Sequence, residues 1–469
     1  MARETHALGT RPTSARIPDA REFLEAERAA AGSCVMAISR SPRRRRAGAL
    51  VLALGLLVAA CSSGDDATTT DAATTDTATT NAASPTATTT DDEEAGPSGT
   101  EPTRAREPVT VPRIESSPPD ITMSGLSMFR GETPDGAPAP LVDLAEIRSG
   151  GPPPDGIPSI DEPVFVSASD VDFLAENEPV LAVDIDGDVR AYPVQILMWH
   201  EIVNDTVGGI PVAVTYCPLC NSALAYDRRV DGRVMEFGTS GLLWNSALVM
   251  YDRQTETLWS HFTGQGIVGE LTGVELEVFP VATVPWGLWR DAHPDGLVLS
   301  RDTGFDRDYG RNPYPGYDDV NSQPFLFEGE VDGRYTAMTR IVGIERDGEA
   351  LGLPLVTLQD QRVVAATLAG TDLVVFWAPG TASALDAGDV AGGDDIGATG
   401  VFIPEADEQS LSFTADDDRF VDDQTGSVWN LLGRAVDGPL AGSQLEAVPH
   451  VDTFWFAWAA FRPDSAVIE

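Results

Sequence analysis

Two thiols and an imidazole stand close together in this chain: His200, then Cys217 and Cys220 as Cys-Pro-Leu-Cys. They form the richest soft-ligand cluster in a sequence of 469 residues with four cysteines and five histidines. Cys-X-X-Cys at the end of a strand puts two sulfurs on one side of a turn, as zinc, copper and iron–sulfur sites require. The same spacing suits a redox dithiol, in which one thiolate attacks and its neighbour resolves. No second Cys-X-X-Cys exists, so a closed four-cysteine zinc site within one chain is excluded. With His200 the set becomes Cys217, Cys220 and one nitrogen, with a coordination position open. Copper is the expected cofactor, zinc the second choice.

Glu201, Asn204, Trp199 and Tyr216 surround this set as supporting residues, Glu201 as a partner that fixes the imidazole tautomer. His261 and Met198 are weaker candidate ligands, and Met235 is a further thioether. Each has a plain alternative. The cysteines can be a small structural disulfide, His200 a hydrogen-bonded core residue, and the methionines core packing.

The elements that must position these residues can be read from periodicity. Pro193 to Val203 has apolar residues at helical spacing, and Pro193 suits a first turn. On such a helix His200 and Asn204 share a face. Gly208-Gly209 turns the chain into a Val- and Ile-rich strand over residues 210–216; the cysteine turn follows, and residues 222–226 run on as the next strand. Asp186-Gly187 marks a hairpin. Asp184, Asp186 and Asp188 read as turn residues, because no calcium loop is completed downstream. Residues 246–251 form another strand, and Pro285 to Ala292 a short helix bearing Trp286 and Trp289.

The folded part reads as an internal duplication. Asp252 onward matches Asp422 onward: Trp259 falls on Trp429, Gly273 on Gly442, Trp286 on Trp455 and Trp289 on Trp458. Upstream, Pro193 falls on Pro354 and Pro218 on Pro379. There Cys217 faces Ala378, Cys220 faces Thr381 and His200 faces Gln361, while His261 faces Leu431. The second copy keeps the apolar frame and lacks all three soft ligands together, so it reads as a scaffold. The expected fold is α+β, mainly β: two tandem related modules of short strands with a few short helices. Module one spans 155–308, a connector 309–327, and the degenerate module two 328–469.

Upstream, Met36 to Cys61 reads as an export signal. Arg40 and Arg43 to Arg46 precede an apolar run too short to span a bilayer, and Val58-Ala59-Ala60-Cys61 has the form of a lipobox. Cys61 is the expected lipidation site, Met36 the expected start, and residues 1–35 an extension ahead of it. Residues 62–110, rich in Thr, Ala and Asp, are expected to be a disordered tether. The protein is then lipid-anchored at the extracytoplasmic face of the cell membrane. Its 73 acidic residues against 31 arginines, with no lysine, give a net charge of −42, which repels phosphate backbones and argues against nucleic-acid partners.

The string WHEIVNDTVGGIPVAVTYCPLCNSALAYDR, followed by LWS and then RDYGRNPY, resembles domain of unknown function 3179, an uncharacterised family of exported bacterial and archaeal proteins. His200, Glu201, Asn204, Cys217, Pro218 and Cys220 fall on its motif positions. The family usually has Gly where Asn221 stands, and commonly Gln where His261 stands. The resemblance implies one fold and export, and brings no activity with it. The leading expectation is a tethered protein binding a soft metal through Cys217, Cys220 and His200. The alternatives are an extracytoplasmic thiol–disulfide oxidoreductase and a non-catalytic binding module with a structural disulfide.

Overall fold

A computed structural model describes residues 136 and 138–468. The expected extension over 1–35, the signal with Cys61 and the tether over 62–110 lie outside the described residues. Among the described residues no helix is long and apolar enough to cross a membrane.

Turn chemistry and β-branching build the first unit. Asp186 and Gly187 take φ of 53° and 81°, the left-handed pair a tight two-residue hairpin needs. They join Pro179–Ile185 to Asp188–Pro193, which pair antiparallel. Pro193 then caps the seven-residue helix Val194–His200. This helix does not run to Val203 as the apolar spacing predicts. Glu201 turns to φ 57°, and the β-branched Ile202 and Val203 enter the strand Ile202–Val207. Asn204 therefore lies on a strand and shares no helical face with His200.

That strand, Ile210–Cys217 and Ser222–Asp227 form a meander, closed on its far edge by Val278–Phe279. The glycine-punctuated stretch beyond it is the bulged strand Phe237–Trp244, paired with Ala247–Asp252. Trp286–Ala292 is the helix expected there.

The same succession of elements recurs downstream. Arg340–Arg346 and Glu349–Pro354 form a hairpin, and the helix Leu355–Gln361 follows Pro354. Val363–Leu368, Thr371–Ala378 and Ala398–Ile403 then build a sheet with Glu446–Ala447 at its edge. In each half the hairpin takes one late strand antiparallel (Ala282–Pro285; His450–Phe454) and another parallel (Leu297–Leu299; Ala466–Val467). The protein is mainly β, and its four α-helices among the described residues have seven residues each.

The hydrophobic cores do not respect the boundary between halves. One cluster joins Met198, Cys217 and Trp259 to Ile341, Phe454 and Trp458; another joins Trp286 and Trp289 to Phe376 and Trp429. Burial of both sets of tryptophans thus requires both halves to be folded together.

A buried carboxylate organises the same turn in each half. Asp252 accepts from the Thr255 N–H at 2.6 Å and from the Trp259 indole at 2.9 Å. Asp422 does the same with Thr425 at 2.6 Å and Trp429 at 2.9 Å. Removing the carboxylate orphans a buried indole N–H and frees the turn. Asp252→Ala should therefore cost about 3 kcal/mol in urea denaturation. Trp259→Phe in that background should cost less than it does alone, because the orphaned donor is then gone.

Candidate functional site

The turn that carries the sulfurs depends on strand pairing and one left-handed residue. Cys217 pairs with Ser222 across the mouth of the turn. Asn221 takes φ 51°, a conformation that Gly and Asn adopt at low cost, so Asn can stand where the resembled family has Gly. The Tyr216 hydroxyl donates to Asn221 Oδ1 at 3.2 Å. Carbonyls of the turn are held from outside the hairpin. Cys220 O accepts from Thr453 Oγ1 at 2.7 Å and from the Phe454 N–H at 3.2 Å, and Leu219 O accepts from the Tyr317 hydroxyl at 2.9 Å.

Both cysteines are free, buried thiols in unlike surroundings. Cys217 Sγ accepts from the Leu248 N–H at 3.4 Å. Burial opposes its ionisation, but hydrogen bonds from Cys220 and from the backbone of Cys220, Leu248 and Leu219 bring the Cys217 thiol below its ordinary value. Cys220 is pushed well above its ordinary value, first by burial and then by Cys217. Cys220 Sγ lies 2.9 Å from Ser222 Oγ, which lies 2.8 Å from His261 Nε2. Burial holds His261 neutral, down to about 3, and its Nδ1 has no partner among the described residues. A neutral ring with its hydrogen on Nε2 lets every donor point one way: His261 to Ser222, Ser222 to Cys220, and Cys220 Sγ to the Cys217 carbonyl oxygen at 3.9 Å.

The expected ligand set of Cys217, Cys220 and His200 is not gathered. His200 Nδ1 donates to the Pro158 carbonyl at 2.7 Å, so Nε2 is left to accept from the Tyr309 hydroxyl at 2.6 Å. Tyr309 is in turn held by Thr303 Oγ1 at 2.5 Å. Neither ring nitrogen keeps a free lone pair for a metal. Burial, with Arg307 adding repulsion, keeps His200 down at about 4, against the pull of the Pro158 carbonyl. Among the described residues no three His, Cys, Asp or Glu side chains assemble into a metal-holding group. His261, the weaker candidate, is the histidine linked to the thiols.

The supporting residues divide. Asn204 is a strut, donating to Asp161 Oδ1 and Phe237 O and accepting from the Phe237 N–H. Met198 and Met235 are buried in the main apolar cluster, and the Trp199 indole N–H has no partner among the described residues. Glu201 does not touch the His200 ring in any hydrogen bond among the described residues. It lines a cavity of about 260 Å³ together with Leu219, Leu248, Tyr314, Tyr317 and Phe325. Burial raises its carboxyl well above the usual range, and charge on Cys217 raises it further.

Ser222, Tyr309, Tyr314 and Tyr317 belong to the site and carry no signal of spacing in the sequence. The three tyrosines lie in the RDYGRNPYPGY connector, whose density of aromatic residues was the one available clue. The connector lines the interface: Tyr317 N donates to Leu385 O at 3.1 Å and Gly316 N to Asp386 O at 2.6 Å.

Fold and site together define a mainly-β protein built around a buried, asymmetric dithiol. The chain belongs to the family described as Protein of unknown function (DUF3179), whose model matches residues 154–465. No curated protein and no solved structure matches it.

The two neutral histidines make stability depend on pH. Their folded values of about 4 for His200 and about 3 for His261 lie below the ordinary 6.5, so the unfolded chain binds more protons as pH falls. Their contribution is complete above about pH 6.5 and is lost as pH falls toward 4 and then 3. Urea midpoints should drop across that window. His261→Leu should lessen the accompanying loss of unfolding free energy by on the order of 4 kcal/mol at the acid end of the window.

Proposed function

We propose that the chain is an exported, membrane-tethered protein whose Cys217–Cys220 pair carries out thiol–disulfide exchange. One observation carries this reading: the two sulfurs are unlike. Cys217 Sγ accepts from the Leu248 N–H and its thiol is brought below its ordinary value, while Cys220 Sγ lies beside Ser222 Oγ and its thiol is pushed well above. A thiolate beside a thiol is what a nucleophile and its resolving partner require. The lipobox ending at Cys61 and the tether over 62–110 support an extracytoplasmic, lipid-anchored location, where disulfides form and persist.

The two halves are read as an internal duplication, with module one over 155–308 the working copy and module two over 328–469 the scaffold. Support comes from the repeated strand order and from the two Asp–Thr–Trp turns. The scaffold role rests on Thr453 and Phe454, which brace Cys220 from a strand of the second half.

Two tests address the exchange reading. A redox titration of the mature domain should give a Cys217–Cys220 potential above about −300 mV, whereas a lower value marks a structural bond. With a small disulfide as oxidant, Cys220→Ser should accumulate a mixed disulfide on Cys217, and Cys217→Ser should form none. Equal trapping by both variants would end this reading.

Copper binding is the second reading, favoured by two vicinal sulfurs fully shielded from water. Soft thiolates select Cu(I), whereas zinc sites use at least three protein ligands. Here Cys220 would have to lose its proton to solvent as the metal binds. Elemental analysis should find copper in the wild-type domain and none in Cys217→Ser/Cys220→Ser if this reading holds; equal metal in both would remove it.

A further inference from the structure

Glu201 occupies an expensive place. It closes the helix Val194–His200 with φ 57° and ψ −30°, a left-handed conformation normally left to Gly or Asn. Its backbone does nothing that demands glutamate: Arg362 closes the corresponding helix Leu355–Gln361 with φ 67° and ψ −34°. The neighbouring contact is also shared. Glu201 O accepts from the Tyr216 N–H at 2.8 Å, and Arg362 O from the Trp377 N–H at 2.9 Å. The side chains then diverge. Arg362 reaches outward to Asp417 O and Asp418 Oδ1, both at 2.9 Å. Glu201 turns inward to the cavity, where its carboxyl has no hydrogen-bond partner among the described residues. The change from Glu to Arg goes with the change from Cys217 to Ala378 at the end of the second strand after each helix. The carboxyl therefore belongs with the sulfur.

We propose that Glu201 is the proton donor for exchange at Cys217, and that the cavity beside it admits small, uncharged disulfides. The proposal rests on the thiol–disulfide reading above and names the acid and the substrate class of that same site. The cavity of about 260 Å³ is walled by Leu219 and Leu248, whose backbone N–H groups both act on Cys217, and by Ile157, Leu242 and Phe325. Apolar walls disfavour charged groups. Cys217 is buried and is not among the residues lining the cavity, so exchange requires a wall side chain such as the half-buried Leu219 to move aside. The titratable groups around the carboxyl are Cys217 and, from the connector, Tyr314 and Tyr317. Burial and the Cys217 charge both keep the carboxyl proton in place.

The step balances. Cys217 Sγ attacks one sulfur of the substrate; a mixed disulfide forms, the substrate S–S bond breaks, and its electron pair leaves on the departing sulfur, which takes the Glu201 proton. Cys220 Sγ then attacks Cys217 Sγ. The protein disulfide forms, the mixed disulfide breaks, and the second departing sulfur takes the proton that Cys220 gives up. The dithiol is oxidised, the substrate is reduced to two thiols, and the negative charge that began on Cys217 ends on Glu201.

Two reagents separate the thiolate from its acid. Iodoacetamide alkylates a thiolate and releases iodide, which needs no proton; hydroxyethyl disulfide releases a thiolate that does. Stopped-flow rates with the mature domain should rise sigmoidally with pH for iodoacetamide. For the disulfide they should rise and then fall as Glu201 ionises. Glu201→Gln should slow the disulfide by about 100-fold and abolish the alkaline fall, with alkylation within about twofold of wild type. Glu201→Asp should restore part of the rate. Glutathione disulfide, larger and charged, should react at least ~10-fold more slowly than hydroxyethyl disulfide with the wild type. Equal disulfide rates in wild type and Glu201→Gln, or an equal fall with both reagents, would overturn the role of Glu201 alone. If Glu201→Gln does not fold, a wild-type disulfide profile without an alkaline fall overturns it. A wild type that alkylates and never exchanges overturns the thiol–disulfide reading, and this proposal with it.

Discussion

The Cys220 carbonyl is the point on which the site hangs. It accepts from Thr453 Oγ1 at 2.7 Å and from the Phe454 N–H at 3.2 Å, so the strand His450–Phe454 of the second half fixes a turn belonging to the first. A short turn between Cys217 and Ser222, left to itself, would have several conformations close in energy. Anchoring its carbonyl selects the one in which both sulfurs face inward. The shared apolar cluster serves the same end, because Cys217, Cys220, Ile341 and Phe454 are buried in one mass. An interior packed this way transmits displacement instead of absorbing it, so the second half shapes the turn although it contributes neither cysteine.

Around that turn the protein balances burial against charge. A fully buried thiolate is unfavourable unless donors converge on it. Cys217 Sγ has the Leu248 N–H, and the Cys220 thiol beside it reaches the Cys217 carbonyl and is backed by Ser222 and His261. Burial also pushes the Glu201 carboxyl and the Cys220 thiol well above their ordinary values, while hydrogen bonds bring the Cys217 thiol below its own. His200 and Tyr309 form a separate node that pins the end of the helix to the connector. Keeping both histidines neutral ties the integrity of the site to pH, since protonating either ring strands a charge in the interior.

Much of the strand pattern was legible because it rests on local chemistry. Asp186-Gly187, Gly208-Gly209 and the β-branched run before Cys217 each specify a turn or a strand within a few residues. The helix was overextended because apolar spacing continues past His200, whereas its stop depends on Glu201 taking a left-handed φ, which no spacing announces. That one-residue reversal also separated His200 from Asn204. The place of each histidine relative to the thiols was not legible for another reason. Nearness along the chain favoured His200, while strand pairing across Ala247–Asp252 and Leu258–Ser260 carries His261 to Ser222.

The sequence by itself determined the mainly-β class, the family and the cysteine pair. All of these are properties of residue type and of order along the chain. The tertiary structure alone decided that His261 reaches the serine beside Cys220, that the two sulfurs have unlike surroundings, and that Glu201 faces the cavity and not the imidazole. These outcomes depend on contacts between residues distant in the chain, such as Cys220 with Thr453 and Tyr309 with His200. A hydrogen bond or a buried charge takes its energy from positions in space, and no local pattern of residues contains those positions.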